Sequence, residues 1–187
     1  KAPTLIWAPP ILSRDRQRVA LRATLQALQV WDLATCRPLS APLPSPGRIG
    51  WASFSPNSDI IVLADMLGHV SAWQIKDGSC LAHDQFPSAV GRAEFSPDGE
   101  ILATASALTL TFWDTRTWLK LREFKAHESE ILMIAFSPDG QRLVSAAFNQ
   151  PPKIWDVTTG QMLGQPILAE QPHCYFQISP DGQRVAT

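Results

Sequence analysis

The sequence predicts an all-β chain assembled from four-stranded antiparallel units, and two markers and one absence predict it. Ser-Pro pairs stand at Ser55-Pro56, Ser96-Pro97, Ser137-Pro138 and Ser179-Pro180, spaced 41, 41 and 42 residues apart. A second marker, Trp31-Asp32, Trp73-Gln74, Trp113-Asp114 and Trp155-Asp156, keeps step at 42, 40 and 42 residues. A worn copy of the first marker, Ser13-Arg14-Asp15-Arg16, lies 42 residues before Ser55. Self-similarity at a period of ~20–50 residues is the mark of repeat architectures. No stretch carries the apolar period of an amphipathic helix.

The unit that opens at Ile131 justifies each element in order. Ile131-Leu132-Met133-Ile134-Ala135-Phe136 is an apolar run of strand length. Ser137-Pro138-Asp139-Gly140 suits a type I turn, because Ser accepts from the backbone, Pro presets φ and Gly closes the turn. Arg142-Leu143-Val144-Ser145-Ala146 reads as the second strand. Asn149-Gln150-Pro151-Pro152 reads as a polar connection to a third strand, Lys153-Ile154-Trp155-Asp156-Val157. Thr158-Thr159-Gly160 is a further turn, and Gln161-Met162-Leu163-Gly164 opens a weaker, more polar fourth strand. The approximate units are 1–47, 48–87, 88–129, 130–172 and an incomplete 173–187.

A four-stranded unit of this length whose third strand ends in Trp-Asp resembles the WD-repeat family of β-propellers, with linkers in the style of bacterial proteins. The resemblance covers residues 5–187. It implies that Trp31, Trp73, Trp113 and Trp155 wedge between neighbouring blades, each burying ~150–250 Å². It also implies a polar network in the fourth unit that links His127, Ser145 and Trp155, with Asn149 where the family prefers Asp. At the same offset from Trp the other units carry Leu25, Leu67 and Ala107, so those blades are expected to rely on apolar packing. Four units and part of a fifth do not close a ring of the size usual in the family. An unpaired sheet edge at the end of the chain would need further blades, from the same chain or from another copy. The expectation is therefore an excerpt of a longer propeller.

Composition narrows the function. The chain has 187 residues, of which 45% are apolar and 18% charged, with a net charge of −1. That balance argues against a protein built to coat nucleic acid. Residues 1–47 nonetheless carry six basic and two acidic side chains, leaving ten basic and fifteen acidic afterwards. Arg14, Arg16, Arg18 and Arg22 form a basic cluster whose simplest reading is a solvated loop and strand edge. Cys36, Cys80 and Cys174 are too scattered for a disulfide framework or a thiolate metal site, so a reducing, cytoplasmic compartment is expected. No apolar run is long enough to span a membrane.

Catalytic chemistry is not visible. His69, His83, His127 and His173 occupy different places in the repeat, so they do not converge on a metal. Asp98, Asp139 and Asp181 share a column, but it is the turn column, where Asp holds the turn. Phosphate loops, zinc-protease motifs and nucleophile elbows are absent from the sequence. No cofactor or metal is expected.

One column departs from the scaffold. On the innermost strand, three residues before the residue that precedes Ser-Pro, the units carry Pro9, Trp51, Arg92, Met133 and Tyr175. Trp, Tyr, Arg and Met are enriched at interface centres. Trp51, Arg92, Met133 and Tyr175 are therefore the candidate binding residues, expected to form one arc around the axis. If they only pack, Arg92 should find an internal carboxylate such as Glu94 on a neighbouring strand. The function expected is a non-catalytic interaction scaffold or sensor module of a larger intracellular signalling protein, with a protein or peptide partner. The alternatives are a propeller enzyme whose metal site lies in other blades, and a nucleic-acid reader using Arg14–Arg22.

Overall fold

The computed structural model describes residues 10–165 and 176–186. Every regular element among them is a strand. The first sheet runs β1 (Ile11–Leu12), β2 (Arg18–Thr24), β3 (Ala27–Asp32) and β4 (Leu43–Pro44). The second comprises β5 (Ile49–Phe54), β6 (Ile60–Asp65), β7 (His69–Gln74) and β8 (Cys80–Gln85). The third comprises β9 (Val90–Phe95), β10 (Ile101–Ser106), β11 (Thr109–Asp114) and β12 (Lys120–Lys125). The fourth holds β13 (Ile131–Phe136), β14 (Arg142–Ala147) and β15 (Gln150–Asp156). A fifth pair joins β16 (Gln177–Ile178) to β17 (Val185–Ala186). All pairings are antiparallel and sequential, the pattern short hairpin turns impose.

Each sheet is a blade, and the first strands β1, β5, β9 and β13 lie next to one another in chain order. Cores form between consecutive blades. Ala20, Leu28 and Val30 of the first blade meet Ala52, Ile61 and Leu63 of the second. Val62, Ala64 and Val70 meet Ala93, Leu102 and Trp113 of the third. Ala103, Leu110 and Phe112 meet Ile134, Leu143 and Trp155 of the fourth. Val144 and Ala146 meet Phe176 of the fifth. Both faces of each middle blade are thus covered, which is why β6 and β10 are buried almost throughout instead of alternating.

The Ser-Pro turns lock the first two strands of each blade. In every unit the Ser hydroxyl donates to the side chain two residues on and accepts from the backbone N–H five residues on, at 2.9–3.0 Å. The worn copy at Ser13 makes the same bonds, to Asp15 and from Arg18, so the substitution of Pro by Arg14 leaves the turn intact. The residue after the Asp, or after Asn57 in the second unit, adopts positive φ, and at Gly99 a Cβ would stand 3.2 Å from Pro56 of the preceding turn. Consecutive turns therefore nest, Gly on Pro, and a side chain at Gly99 would strain both backbone and neighbour.

Two elements differ from the sequence reading. Gln150, Pro151 and Pro152 are not a connection but the start of β15, reached by a tight turn at Phe148-Asn149. The register shifts between Ser145 and Ala147, and this irregularity lets the strand carry prolines that cannot donate to a regular ladder. Among the described residues, the polar fourth strand expected to open at Gln161–Gly164 shows one bridge, Trp155 with Met162.

Candidate functional site

The inner-strand column is built by bulges. Pairing skips one residue in each of three inner strands: Gly50 in β5, Gly91 in β9 and Leu132 in β13. Each skipped residue immediately precedes a column residue, Trp51, Arg92 or Met133. A bulge bends the strand and re-aims the side chain that follows it. The glycines at two of the three sites are the sequence signal for this, because an isolated Gly within a strand pattern marks a bulge.

Trp51 and Arg92 come together. The Trp51 indole N–H donates to the Ala93 carbonyl of the next blade at 2.9 Å. The Arg92 guanidinium lies 4.3 Å from the centre of the Trp51 ring and donates to Gly91 O at 2.8 Å. Both side chains are half-buried. A cation on an indole face at this distance is attracted by the ring quadrupole. Met133 is also half-buried, but it packs on the cluster of Val144, Ala146 and Phe176 rather than on the Trp51–Arg92 pair. Tyr175, the fourth member of the column, lies outside the described residues, as does Pro9.

Glu94 is on the same strand as Arg92, two residues along and on the same face, not on a neighbouring strand. Burial in the channel wall pushes its carboxyl up to about 7, against the opposing pull of Arg92. Below it a cavity of about 490 Å³ is lined by Arg14, Ser53, Glu94 and Met133 and by the turn residues Pro56 and Pro138.

The basic cluster is tied into the scaffold. Arg14 donates to Pro97 O at 3.3 Å, Arg18 to Ser58 O, and Arg22 to Ile49 O at 2.6 Å. Among the described residues, no three His, Cys, Asp or Glu side chains gather as a metal-ligand set. His69 and His83 face each other on paired strands of the second blade with ring centres 5.5 Å apart, His127 lies in the fourth-blade network, and His173 falls outside the described residues.

Residues 118–156 match the family model described as WD domain, G-beta repeat. WD repeat-containing protein 1 of Mus musculus is 38% identical over 104 residues, covering 51% of this chain and 17% of that protein. An uncharacterized WD repeat-containing protein of Schizosaccharomyces pombe is 30% identical over 145 residues, covering 74% of this chain and 35% of its own length. The chain belongs to the WD-repeat family. It therefore spans about a sixth to about a third of the length of these relatives. Among solved structures, the computationally designed Ika8 protein superposes with a TM-score of 0.77 at 25% identity, covering 90% of this chain and 54% of that one. The fold is that of β-propeller blades.

The WD residues occupy three environments. Trp113 and Trp155 are buried between blades, and Trp73 is half-buried against the cluster between the first two. Trp31 is half-buried and joins none of the clusters formed by the described residues, so the wedge role expected for it is not seen there. Asp32, Asp114 and Asp156, which follow the Trp, accept from the backbone N–H and hydroxyl of Thr35, Thr117 and Thr159. Those bonds hold each carboxyl below its ordinary range. They close a turn.

In the fourth WD blade, His127 is buried with Nε2 2.7 Å from Ser145 Oγ, and the Trp155 indole donates to the same hydroxyl at 2.7 Å. The other ring nitrogen meets Gln150 Oε1 at 3.0 Å, not Asn149. Asn149 is occupied by the tight turn, with φ 52°. Burial pushes the His127 imidazole below its usual value, with the Gln150 contact opposing.

The expectation that the other blades had lost their polar networks is corrected at Asp65. This carboxylate is fully buried at the end of β6. It accepts from Ser45 Oγ at 2.9 Å and from the N–H groups of Gly47, Leu67 and His69 at 2.6, 2.8 and 2.9 Å. His69 Nδ1 stands 3.0 Å away. Burial raises its carboxyl, but the bonds from His69, Ser45, Gly47 and Leu67 outweigh burial and hold it below the ordinary range. The third blade uses Phe86 edge-on to Trp113 at 5.9 Å, while the Trp113 indole donates to Thr104 Oγ1 at 3.0 Å. Ser45, Phe86 and His127 share one offset from their Ser-Pro turns, so one column serves three chemistries.

Proposed function

We propose that this chain is a non-catalytic docking module that takes a protein or peptide partner on the inner-strand column, and that it serves a larger intracellular signalling protein. The observation that carries this reading is the Trp51–Arg92 pair. Two residue types typical of interface centres are aimed by bulges, stacked on each other and left half-exposed. The hairpin turn of the second blade adds apolar tips beside Trp51, with Met66 and Leu67 exposed by 57% and 59%. Clustered exposed apolar groups beside polar anchors are typical of interaction sites. The acidic columns, by contrast, are satisfied internally at their turns. The exposed free thiols Cys36 and Cys80 fit a reducing compartment. The anchoring of Arg14, Arg18 and Arg22 to backbone carbonyls favours a scaffold role for the basic cluster over nucleic-acid reading.

A photo-crosslinking amino acid placed at Met66 tests the reading in cells. The expected result is discrete crosslinked proteins that disappear when Trp51→Ala is added. The same crosslinks from Leu119, exposed on the far side of the blade at the start of β12, would overturn it, as would crosslinks indifferent to Trp51.

A further inference from the structure

The second blade brings together two histidines that the repeat register keeps apart. His69 opens β7, and His83 lies on β8, the outermost strand of that sheet. In the ladder His69 pairs with Gln85 and His83 with Ser71, so the two imidazoles are diagonal neighbours across the hairpin. Their ring centres are 5.5 Å apart, with the planes inclined by 38°. His69 is prepared as a ligand. Its Nδ1 stands 3.0 Å from Oδ2 of Asp65, the fully buried carboxylate that Ser45, Gly47 and Leu67 also hold. A carboxylate that gathers donors in this way accepts, so Nδ1 carries the proton and Nε2 keeps the lone pair. A carboxylate behind one ring nitrogen is the arrangement that fixes tautomer and orientation when the other nitrogen binds a metal. Among the described residues, Nε2 of His69 and both ring nitrogens of His83 make no hydrogen bond, and His83 is exposed.

We propose that His69 Nε2 and the His83 ring bind a zinc ion at the outer rim of the second blade. Imidazole donors suit zinc, copper and nickel, whereas magnesium and calcium take oxygen. Spacing then selects among the three. A nitrogen about 2.0–2.1 Å from the ion sets its ring centre about 3.2 Å away, so two rings stand about 5.2 Å apart at a tetrahedral angle and about 4.5 Å apart at a right angle. The observed 5.5 Å fits the tetrahedral case, which is zinc's, and not the right angle of a square-planar copper or nickel site. Among the described residues, no third His, Cys, Asp or Glu completes the set. Two positions therefore fall to water, and the ion exchanges with solvent. Bound there, it ties β8 to β7 and, through His69, to the Asp65 bonds that reach the loop from the first blade. The inference is independent of docking on the inner column, which lies at the opposite edge of the sheet.

The test titrates the full chain with zinc chloride in a buffer free of metal-binding groups, read by calorimetry and by the imidazole resonances in NMR. The expected result is saturable binding of one zinc per chain, with shifts at the His69 and His83 rings. His69 should be the Nδ1–H form before and after loading, with the metal shift on Nε2. His83→Ala and His69→Gln should each weaken binding by about a hundredfold, because the second donor acts intramolecularly. Zinc should also raise the urea midpoint of the unmodified chain and leave that of His83→Ala where it was. Magnesium chloride at the same concentration should move neither ring. Absence of saturable zinc binding, undiminished affinity in His83→Ala, zinc on Nδ1 of His69, or shifts centred on Cys36, Cys80 or His127 would overturn the proposal.

Discussion

The second and fourth blades tie the incoming loop to the end of the second strand in opposite ways. In the second, a buried anion at the strand end gathers donors from both sides: Ser45 and Gly47 from the loop, Leu67 and His69 from the hairpin. In the fourth, the strand end is the silent Ala147, and a neutral imidazole enters from the loop to Ser145 instead. The difference teaches that the repeat conserves a connection, not a residue. A polar bridge from loop to second strand persists while donor and acceptor exchange places. The third blade is intermediate, with Phe86 filling the loop position and Ser106 bonding the carbonyl of Ser88 at 3.0 Å.

The two solutions should fail unequally. Asp65→Ala strands several buried donors at once, and breaking such a site typically costs about 3–5 kcal/mol. Urea denaturation should show it as the largest single loss among these positions, with Asp65→Asn recovering part. His127→Ala removes two contacts and leaves the Ser145 hydroxyl bonded to Trp155, so the expected cost is about 1–3 kcal/mol. An equal loss at the two sites would erase the distinction between the blades. His83, exposed on β8, should tolerate Ala with little change.

Acid should separate the blades as well. Asp65 is held below its ordinary carboxylate value, so its contribution is complete above about 4 and is lost as the pH falls through its folded value. His127 is also held below its ordinary value, so in the folded chain it stays neutral while the unfolded chain takes a proton. Its contribution is complete above about 6.5 and drains as the pH falls below that. Glu94, held up at about 7, works the other way and adds stability as the pH falls, so each contribution is read as a difference between variant and unmodified chain. The urea-midpoint difference for His127→Ala should shrink as the pH falls below about 6.5, and that for Asp65→Ala only below about 4. Among the buried polar bonds, the smallest effect belongs to the third blade: Thr104→Val keeps the shape but removes the Trp113 acceptor, at about 1 kcal/mol.

Much of this was legible in the residues. The spacing of Ser-Pro and Trp-Asp located the inner strands and the turns, because both depend on local chemistry that a sequence displays. The link of His127 to Ser145 and Trp155 was readable only as what the resemblance to the WD-repeat family implies. Asp65 was missed because the search followed one offset from the Trp, where Leu67 stands, while the functional acid lay two residues earlier. Its signal was an acid ending the apolar run Ile60-Ile61-Val62-Leu63-Ala64. Gln150 was missed because two prolines after it argue against a strand, and only the bulge in β15, where Pro151 and Pro152 stand opposite Ala146, accommodates them. The column Trp51, Arg92 and Met133 was readable by offset, but a repeat register cannot show which members touch. Side-chain direction depends on the bulges, and these joined Trp51 to Arg92 while Met133 turned to the next blade interface. Glu94 was visible, yet its place below Arg92 on one strand face had to come from the strand geometry.

The claim that the inner column binds rather than packs is tested most directly at Arg92, with stability and partner capture measured on the same Arg92→Ala preparation. Truncation forfeits a cation–ring contact worth about 0.5–1 kcal/mol together with the bond to Gly91 O, so the shift of the urea midpoint should be modest beside the loss of capture. Proteins crosslinked from Met66 should nevertheless be lost. Retention of those crosslinks, or a loss that only tracks unfolding, would contradict the account and make the Trp51–Arg92 pair part of the core.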